Sequence, residues 1–194
     1  MSFLVAWRAD DPATPLRQTT DPDEISATLD AIGCGFERRP ARSDIGPDSG
    51  QDAVLAAYHD VVDEINAADG FVAVDAITMH PSDEPGWADD AKAMRAKFGD
   101  EHTHADHEVR FMARGATAFY IHAEDTVYAV HATVGDLIRV ARGATHWVDS
   151  GPQPDFAVIR FFHDPDGWSG TPTGSDIARR IPDYDAVRTL AETP

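Results

Sequence analysis

Three histidines and one glutamate recur at spacings that suit metal binding. His102 and His104 are one residue apart, Glu108 follows four residues later, and His146 lies further along the chain. Side chains alternate between the faces of a strand, so a strand that begins near His102 would place His102, His104, Glu108 and Arg110 on one face. Imidazole and carboxylate groups are ligands for divalent cations. The pattern predicts a metal centre with His102, His104 and Glu108 as ligands and His146 as the fourth, supplied by a neighbouring strand.

The residues around His146 and His107 refine this ligand set. Residues 135–140 read as a turn and a strand, and residues 142–145 as a loop that delivers His146. His107 is odd-numbered, so it is expected to point away from the ligand face. Four protein ligands leave two open positions on an octahedral ion, which predicts catalysis and not a purely structural site. The set contains no thiolate, so Fe, Ni, Co or Mn could all be held.

Arg110 is the charged residue that shares the predicted ligand face. One interpretation is a structural ion pair with an acidic residue, because an unpaired buried charge is costly. The other is contact with an anionic substrate or with the oxyanion formed during turnover. The remaining histidines have no partner at ligand spacing and are expected to be surface or hydrogen-bonded residues: His59, His80, His122, His131 and His163.

Composition limits the classes of partner. The chain has 194 residues and a formal net charge of −18, which argues against binding to nucleic acid or to anionic membranes. An anionic substrate would need local positive charge at the site. Cys34 is the single cysteine, so no disulfide can form within the chain. Neither a membrane span nor the features of a signal peptide are apparent, and we expect a cytoplasmic protein.

The first half of the chain predicts strands and helices of mixed order. A strand is expected at residues 3–8, a loop around Pro12 and Pro15, and a helix capped by Asp21 with Pro22 in its first turn. Apolar spacing predicts a helix over residues 52–68, then a strand at 71–79 and a short helix at 89–98.

From residue 107 onward the pattern changes to short strands separated by turns. They are expected at residues 107–113, 117–123, 126–133, 136–141, 146–149 and 156–162. We predict a mainly β, jelly-roll barrel with a few flanking helices, whose closure brings His146 beside residues 102–108. A single domain (1–194) would comprise N-terminal strands and helices packed on the barrel (1–88), a metal-binding core (89–163) and a tail (164–194) with at most one helical turn near 177–180.

These residues resemble two motifs of the cupin superfamily. The first, H-x-H-x3-E-x6-G, fits His102, His104, Glu108 and Gly115, although Ala96 stands where an upstream glycine is usual. The second, G-x5-P-x-G-x2-H-x3-N, fits Gly135, Gly143 and His146, with Ala141 and Ser150 at its proline and asparagine positions. The resemblance implies a cupin-type double-stranded β-helix.

Further contexts resemble the acireductone dioxygenase family of methionine salvage. The similarity extends over most of the chain. The matching segments are residues 36–38, 56–58, 97–98, 101–104, 108–111, 135–138, 145–147 and 166–168. The family's arginine and phenylalanine of the substrate pocket match Arg110 and Phe98. A second pocket phenylalanine of the family falls at Val148, where a smaller side chain changes the pocket's shape. Trp147 and Trp168 also match and are expected to serve in packing.

The resemblance implies a reaction between acireductone (1,2-dihydroxy-3-keto-5-methylthiopentene) and O2. It also implies one Fe(2+) or Ni(2+) per chain, with Co or Mn possible. In this family iron yields the 2-keto acid 2-keto-4-methylthiobutanoate and formate, whereas nickel yields methylthiopropionate, carbon monoxide and formate. Two other classes remain as alternatives. Another cupin enzyme, such as a flavonol or enediol dioxygenase or a metal-dependent sugar isomerase, would keep the four ligands, whereas a non-catalytic ligand-binding cupin would more often lose one of them. We expect a monomer whose partners are small molecules.

Overall fold

The structure is a computed structural model that describes residues 1–42, 44–165, 167 and 169–193. The predicted contexts that include Asp166 and Trp168 therefore lie in part outside the described residues. The strands are β1 (Phe3–Arg8), β2 (Asp11–Thr19), β3 (Gly35–Arg38), β4 (Ala73–Met79), β5 (His102–Thr103), β6 (Glu108–Ala123), β7 (Thr126–Thr133), β8 (Asp136–Val140), β9 (Thr145–Asp149), β10 (Phe156–Phe162) and β11 (Thr171–Pro172).

Five α-helices and one short 3-10 helix accompany these strands in the described part of the chain. They are α1 (Pro22–Asp30), α2 (Gln51–Ala57), α3 (His59–Asp69), α4 (Trp87–Phe98), the 3-10 helix Ile177–Arg179 and α5 (Tyr184–Glu192). Helix α1 begins as the sequence predicts, because the Asp21 carboxylate accepts hydrogen bonds from the backbone N–H groups of Asp23 and Glu24. None of the described helices is both long and apolar enough to cross a membrane.

The strands form a jelly-roll barrel, which confirms the predicted mainly β, cupin-type fold. One sheet has the order β11-β5-β9-β6-β7-β1-β2, and the other contains β4, β10, β6, β8 and β3. All the strand pairs are antiparallel. Buried apolar residues of both sheets fill the space between them, among them Leu4, Phe36, Met112, Phe119 and Val130.

Strand β6 joins the two sheets and carries part of the site. The sequence predicts separate strands at 107–113 and 117–123, but the structure has one strand of 16 residues. Its first half pairs with β8 and β10, and its second half with β7 and β9. Gly115 lies between the halves with φ of 68°, where a Cβ atom would lie 1.8 Å from the carbonyl oxygen of Asp155. Glycine therefore lets the chain pass from one sheet to the other without a break.

Two predictions for the first half of the chain are wrong. The helix predicted over residues 52–68 is two helices, because Tyr58 (φ −110°, ψ 21°) leaves the helical conformation. Its buried hydroxyl donates to the carbonyl of Ala113 and accepts from the N–H of Arg42. The loop predicted around Pro12 and Pro15 is strand β2, which lies at a sheet edge, where prolines cost no hydrogen bond to a further strand.

The outer faces of both sheets are covered by helices. Val54, Val61 and Ile65 of α2 and α3 pack on one sheet in a cluster that includes Phe111 and Ile159. Helix α5 packs on the other sheet through Val187, close to the buried residues Ile177 and Ile181. The prediction that the tail contains at most one helical turn is therefore wrong. Asp183 caps α5 by accepting from the N–H of Ala186, a signal that the sequence contains.

Candidate metal centre

The four predicted ligands come from three short stretches of the barrel. His102 in β5 lies directly opposite His146 in β9, and Glu108 is the first residue of β6. His104 lies in the turn between β5 and β6. The expectation that one continuous strand carries His102, His104 and Glu108 is wrong, because residues 104–107 leave the strand conformation. The residues meet because the chain bends at residues 105 and 106, between β5 and β6.

The donor atoms of these side chains converge in the barrel. Ligand nitrogens of His102, His104 and His146 all lie within 4.8 Å of one another, and all three residues are buried. Oε2 of Glu108 lies 2.8 Å from Nε2 of His104 and 3.4 Å from Nε2 of His146. Neighbouring ligands at right angles around a divalent ion are separated by about 3 Å for bond lengths near 2.1 Å. The described residues therefore contain a metal-binding site of three histidines, with a carboxylate at matching distance.

Each of the three imidazoles is oriented by a backbone carbonyl. Nδ1 of His102 lies 2.8 Å from the oxygen of Asp100, and Nδ1 of His146 lies 2.9 Å from that of Ala144. Nδ1 of His104 lies 3.1 Å from the oxygen of Ser169. A carbonyl oxygen can only accept, so Nδ1 carries the hydrogen and Nε2 keeps its lone pair. This tautomer is the one that a metal centre requires.

The turn between His104 and Glu108 is tied down by Asp106. Its buried carboxylate accepts from the backbone N–H of His107 at 2.7 Å and from that of His163 at 2.9 Å. Burial opposes ionisation of Asp106, but these hydrogen bonds outweigh it and lower the pKa of the carboxyl. His107 is exposed and lies outside the histidine cluster, on the other side of the turn from the donor atoms.

Arg110 contacts the glutamate of the cluster. Its guanidinium Nη2 lies 2.9 Å from Oε2 of Glu108. The guanidinium carbon lies over the ring of Phe162, 5.1 Å from the ring centre. Burial lowers the pKa of Arg110 to about 10, so it remains charged at neutral pH. Burial also opposes ionisation of Glu108, but the adjacent positive charge of Arg110 holds its pKa well below the usual value. The carboxylate is therefore ionised, as a metal ligand must be.

A cavity of about 60 Å³ adjoins the histidine cluster. Phe98 at the end of α4, Arg110 and Val148 all line it, as does Thr117. Its other walls are mostly apolar: Ile77, Met94, Phe119, Phe156 and Val158. Next to it, an open groove of about 330 Å³ reaches His102 and His104 from the outside, between Phe98 and residues 169–172. The structure thus brings the predicted site residues together around the histidine cluster and this cavity.

Sequence reasoning missed two contributors to this region. Arg160 in β10 lines the cavity, lies directly opposite Arg110 in the strand pairing, and is held by the Asp75 carboxylate with Nε 2.7 Å from Oδ1. A charged residue inside an apolar strand is a signal that could have identified it. The second contributor is the tail segment at Ser169 and Gly170, which the sequence presents only as a Pro- and Gly-rich loop.

The sequence comparisons identify the ARD/ARD′ family. A sequence model of the ARD/ARD′ family matches residues 9–170. The acireductone dioxygenase of Frankia alni is 48% identical over 187 residues, which cover 96% of this chain and 91% of the relative. That of Saccharopolyspora erythraea is 45% identical over 187 residues, covering 96% of this chain and 98% of the relative.

The fold has a solved counterpart. The structure of the acireductone dioxygenase from Bacillus anthracis, with a cadmium ion in its active centre, superposes with a TM-score of 0.71. The match covers 88% of this chain and 98% of that chain at 24% sequence identity. At this identity the likeness shows that the two chains share a fold.

Proposed function

This chain belongs to the ARD/ARD′ family, and we propose that it is a metal-dependent acireductone dioxygenase that cleaves acireductone with O2. The observation that carries the proposal is the convergence of three imidazole nitrogens and one carboxylate oxygen beside a cavity with apolar walls. An enediol with an apolar methylthio side chain needs both parts, a Lewis acid for its oxygens and an apolar wall for its tail.

We assign His102, His104, Glu108 and His146 as the metal ligands. The carbonyl partners of the three histidines and the ionised state of Glu108 support this assignment. Nitrogen and oxygen donors without thiolate suit Fe(2+) or Ni(2+), and also Co or Mn. A divalent metal at this site would supply the positive charge that favours the deprotonated, electron-rich form of the substrate.

The residues around the cavity would orient the substrate and exclude water. Arg110 offers guanidinium donors beside Glu108, where they can stabilise negative charge on the substrate's oxygens as it develops. Phe98 and Val148 line the same cavity as the histidines and would contact the substrate's carbon skeleton. In a chain of net charge −18, Arg110 would also offset repulsion of an anionic substrate close to the reaction centre.

We propose that the protein works as a cytoplasmic monomer. Few large apolar side chains are exposed in the described residues: Met1, Leu16 and Val72. Contiguous apolar patches are the usual mark of a protein interface. Light scattering of the purified protein measures the assembly state directly, and a stable dimer would contradict this part of the proposal.

Metal exchange in one polypeptide tests the proposed reaction. The protein is stripped with a chelator, reloaded separately with Fe(2+) or Ni(2+), and supplied with acireductone and O2. We expect formate and the 2-keto acid with iron, and methylthiopropionate, formate and carbon monoxide with nickel. The metal-free protein is the control. Oxygen uptake no faster than spontaneous oxidation with every metal would reject the proposal, and profiling of other enediols and sugars would then test the other cupin activities.

A further inference from the structure

The segment of residues 169–173, here called the strap, crosses the outside of the histidine cluster. It contains strand β11, which pairs with β5 so that Thr171 lies opposite Thr103 and Pro172 opposite His102. The strap therefore extends the sheet at the point where a candidate ligand lies. It joins the barrel to the 3-10 helix and α5, which are anchored on the same sheet by buried side chains.

The strap touches two of the candidate ligands directly. The carbonyl oxygen of Ser169 is the partner of Nδ1 of His104 at 3.1 Å. A Cβ atom on Gly170 would lie 2.7 Å from Cδ2 and 3.2 Å from Cγ of the His102 ring, which is closer than real Cβ contacts allow. The strap thus holds the His104 imidazole by a hydrogen bond. It packs directly against the His102 ring because Gly170 has no side chain.

The C-terminal end of the strap is bonded to a buried carboxylate. The N–H of Thr173 donates to the carbonyl of Glu101 at 3.1 Å, and its hydroxyl donates to Oε2 of Glu101 at 2.6 Å. Oε1 of Glu101 lies 2.6 Å from Nδ1 of His122, a residue of β6. The strap is therefore tied, through Glu101, to a strand that borders β9 and its ligand His146.

We propose that the strap is a positioning element that fixes the orientation of His102 and His104 and so sets the affinity of the metal centre. Hydrogen bonds to the far nitrogen of a ligating histidine select its tautomer and ring orientation, and their loss typically costs about 10- to 100-fold in metal affinity or activity. The inference rests on the proposed metal centre and does not depend on which substrate the metal acts upon.

The first test is the substitution Gly170→Ala. Gly170 does not have a positive φ, so alanine is compatible with its backbone, but the methyl group would displace either the His102 ring or the strap. We expect Ni(2+) affinity, measured by competition with a chelating dye, to fall by about 10- to 100-fold. The absorption spectrum of the Co(2+)-loaded protein should change as well. Gly46→Ala is the matched control, because a Cβ atom there meets nothing within 4 Å.

The second test, Thr173→Val, loosens the strap without adding bulk near a ligand. It removes the hydroxyl donor to Glu101 and keeps the backbone hydrogen bond, so we expect a smaller loss of Ni(2+) affinity, about 3- to 10-fold, below the loss for direct partners. Thr189→Val is the control, since that hydroxyl bonds only to the carbonyl of Asp185 in α5 among the described contacts. Thermal unfolding of the metal-free variants separates loss of folding from loss of binding.

The outcomes decide the proposal. Affinities within twofold of the parent protein in both Gly170→Ala and Thr173→Val would overturn the strap as a positioning element. Weakened Ni(2+) binding in both variants, with intact folding and unchanged controls, would support it. If the parent protein binds Ni(2+) but does not turn over acireductone, the proposed function fails while the strap's role is still decided by the same affinities.

Discussion

The turn between β5 and β6 contacts two histidine sites that differ in how their nitrogens are used. At the metal centre, His102, His104 and His146 each engage one nitrogen with a carbonyl and direct the other toward the cluster. On the far side of the turn, His163 engages both nitrogens, Nδ1 with the Asp106 carboxylate and Nε2 with the carbonyl of Asp69, each at 3.1 Å.

This difference separates a ligand from a structural histidine. Both nitrogens of His163 face oxygen acceptors outside the cluster, so neither is directed at a metal, whereas Nε2 of His104 and of His146 faces the Glu108 carboxylate within the cluster. The spacing of histidines in the sequence does not show which groups their two ring nitrogens contact. The partner of the second nitrogen is a property of the fold.

The largest expected effect comes from removing one histidine at each site. His146→Ala should weaken Ni(2+) binding by at least about 100-fold, beyond the usual cost of losing an outer hydrogen bond, because a ligand itself is lost. His163→Ala should bind Ni(2+) within about threefold of the parent protein. Metal titration with circular dichroism as the folding control measures both. Equal losses of Ni(2+) affinity in the two variants would contradict the proposal that His146 is a ligand and His163 is structural.

Arg110→Lys tests the chemistry of the metal centre without changing its ligands. Lysine keeps the positive charge near Glu108 but lacks the planar fork of donors, so metal content should stay normal while kcat/KM for acireductone falls by about 10- to 100-fold. Turnover is followed by oxygen uptake, and metal content by elemental analysis. Parent-like catalytic efficiency would assign Arg110 to the structural ion pair with Glu108 alone.

The sequence predicted the β-barrel because alternation and turn residues recur at regular spacing after residue 107. It also singled out the residues that the structure brings together, because His102, His104, Glu108 and His146 stand in motif spacing. The single-strand argument behind that prediction was wrong, however, since Ala105 and Asp106 form a turn. Convergence was predictable from the pattern, whereas the path of the backbone was not.

Contacts made by backbone atoms and by glycine could not be predicted. The carbonyl of Ser169 and the bare Cα of Gly170 act through position, and nothing in their residue types marks them. Helix α2 ends before Tyr58, whose hydroxyl donates to the carbonyl of Ala113 on β6, 55 residues further along the chain. Apolar periodicity reports which face of a helix is buried, but not where a long-range hydrogen bond interrupts it.

The smallest expected effect concerns the carboxylate that separates the two sites. Asp106→Asn keeps the size of the side chain but replaces one carboxylate oxygen by an NH2 group, which can only donate. The two oxygens of Asp106 accept from the backbone N–H groups of His107 and His163, so the variant loses one of these hydrogen bonds. We expect the free energy of unfolding to fall by about 1 kcal/mol, because one part-buried N–H group loses its hydrogen-bond partner. Ni(2+) affinity should change by less than about tenfold, because Ser169 and not Asp106 orients His104. Urea unfolding and metal titration of the same preparation measure the two quantities. A loss of affinity as large as that of His146→Ala, at unchanged stability, would show that Asp106 belongs to the metal centre and that the two histidine sites act as one.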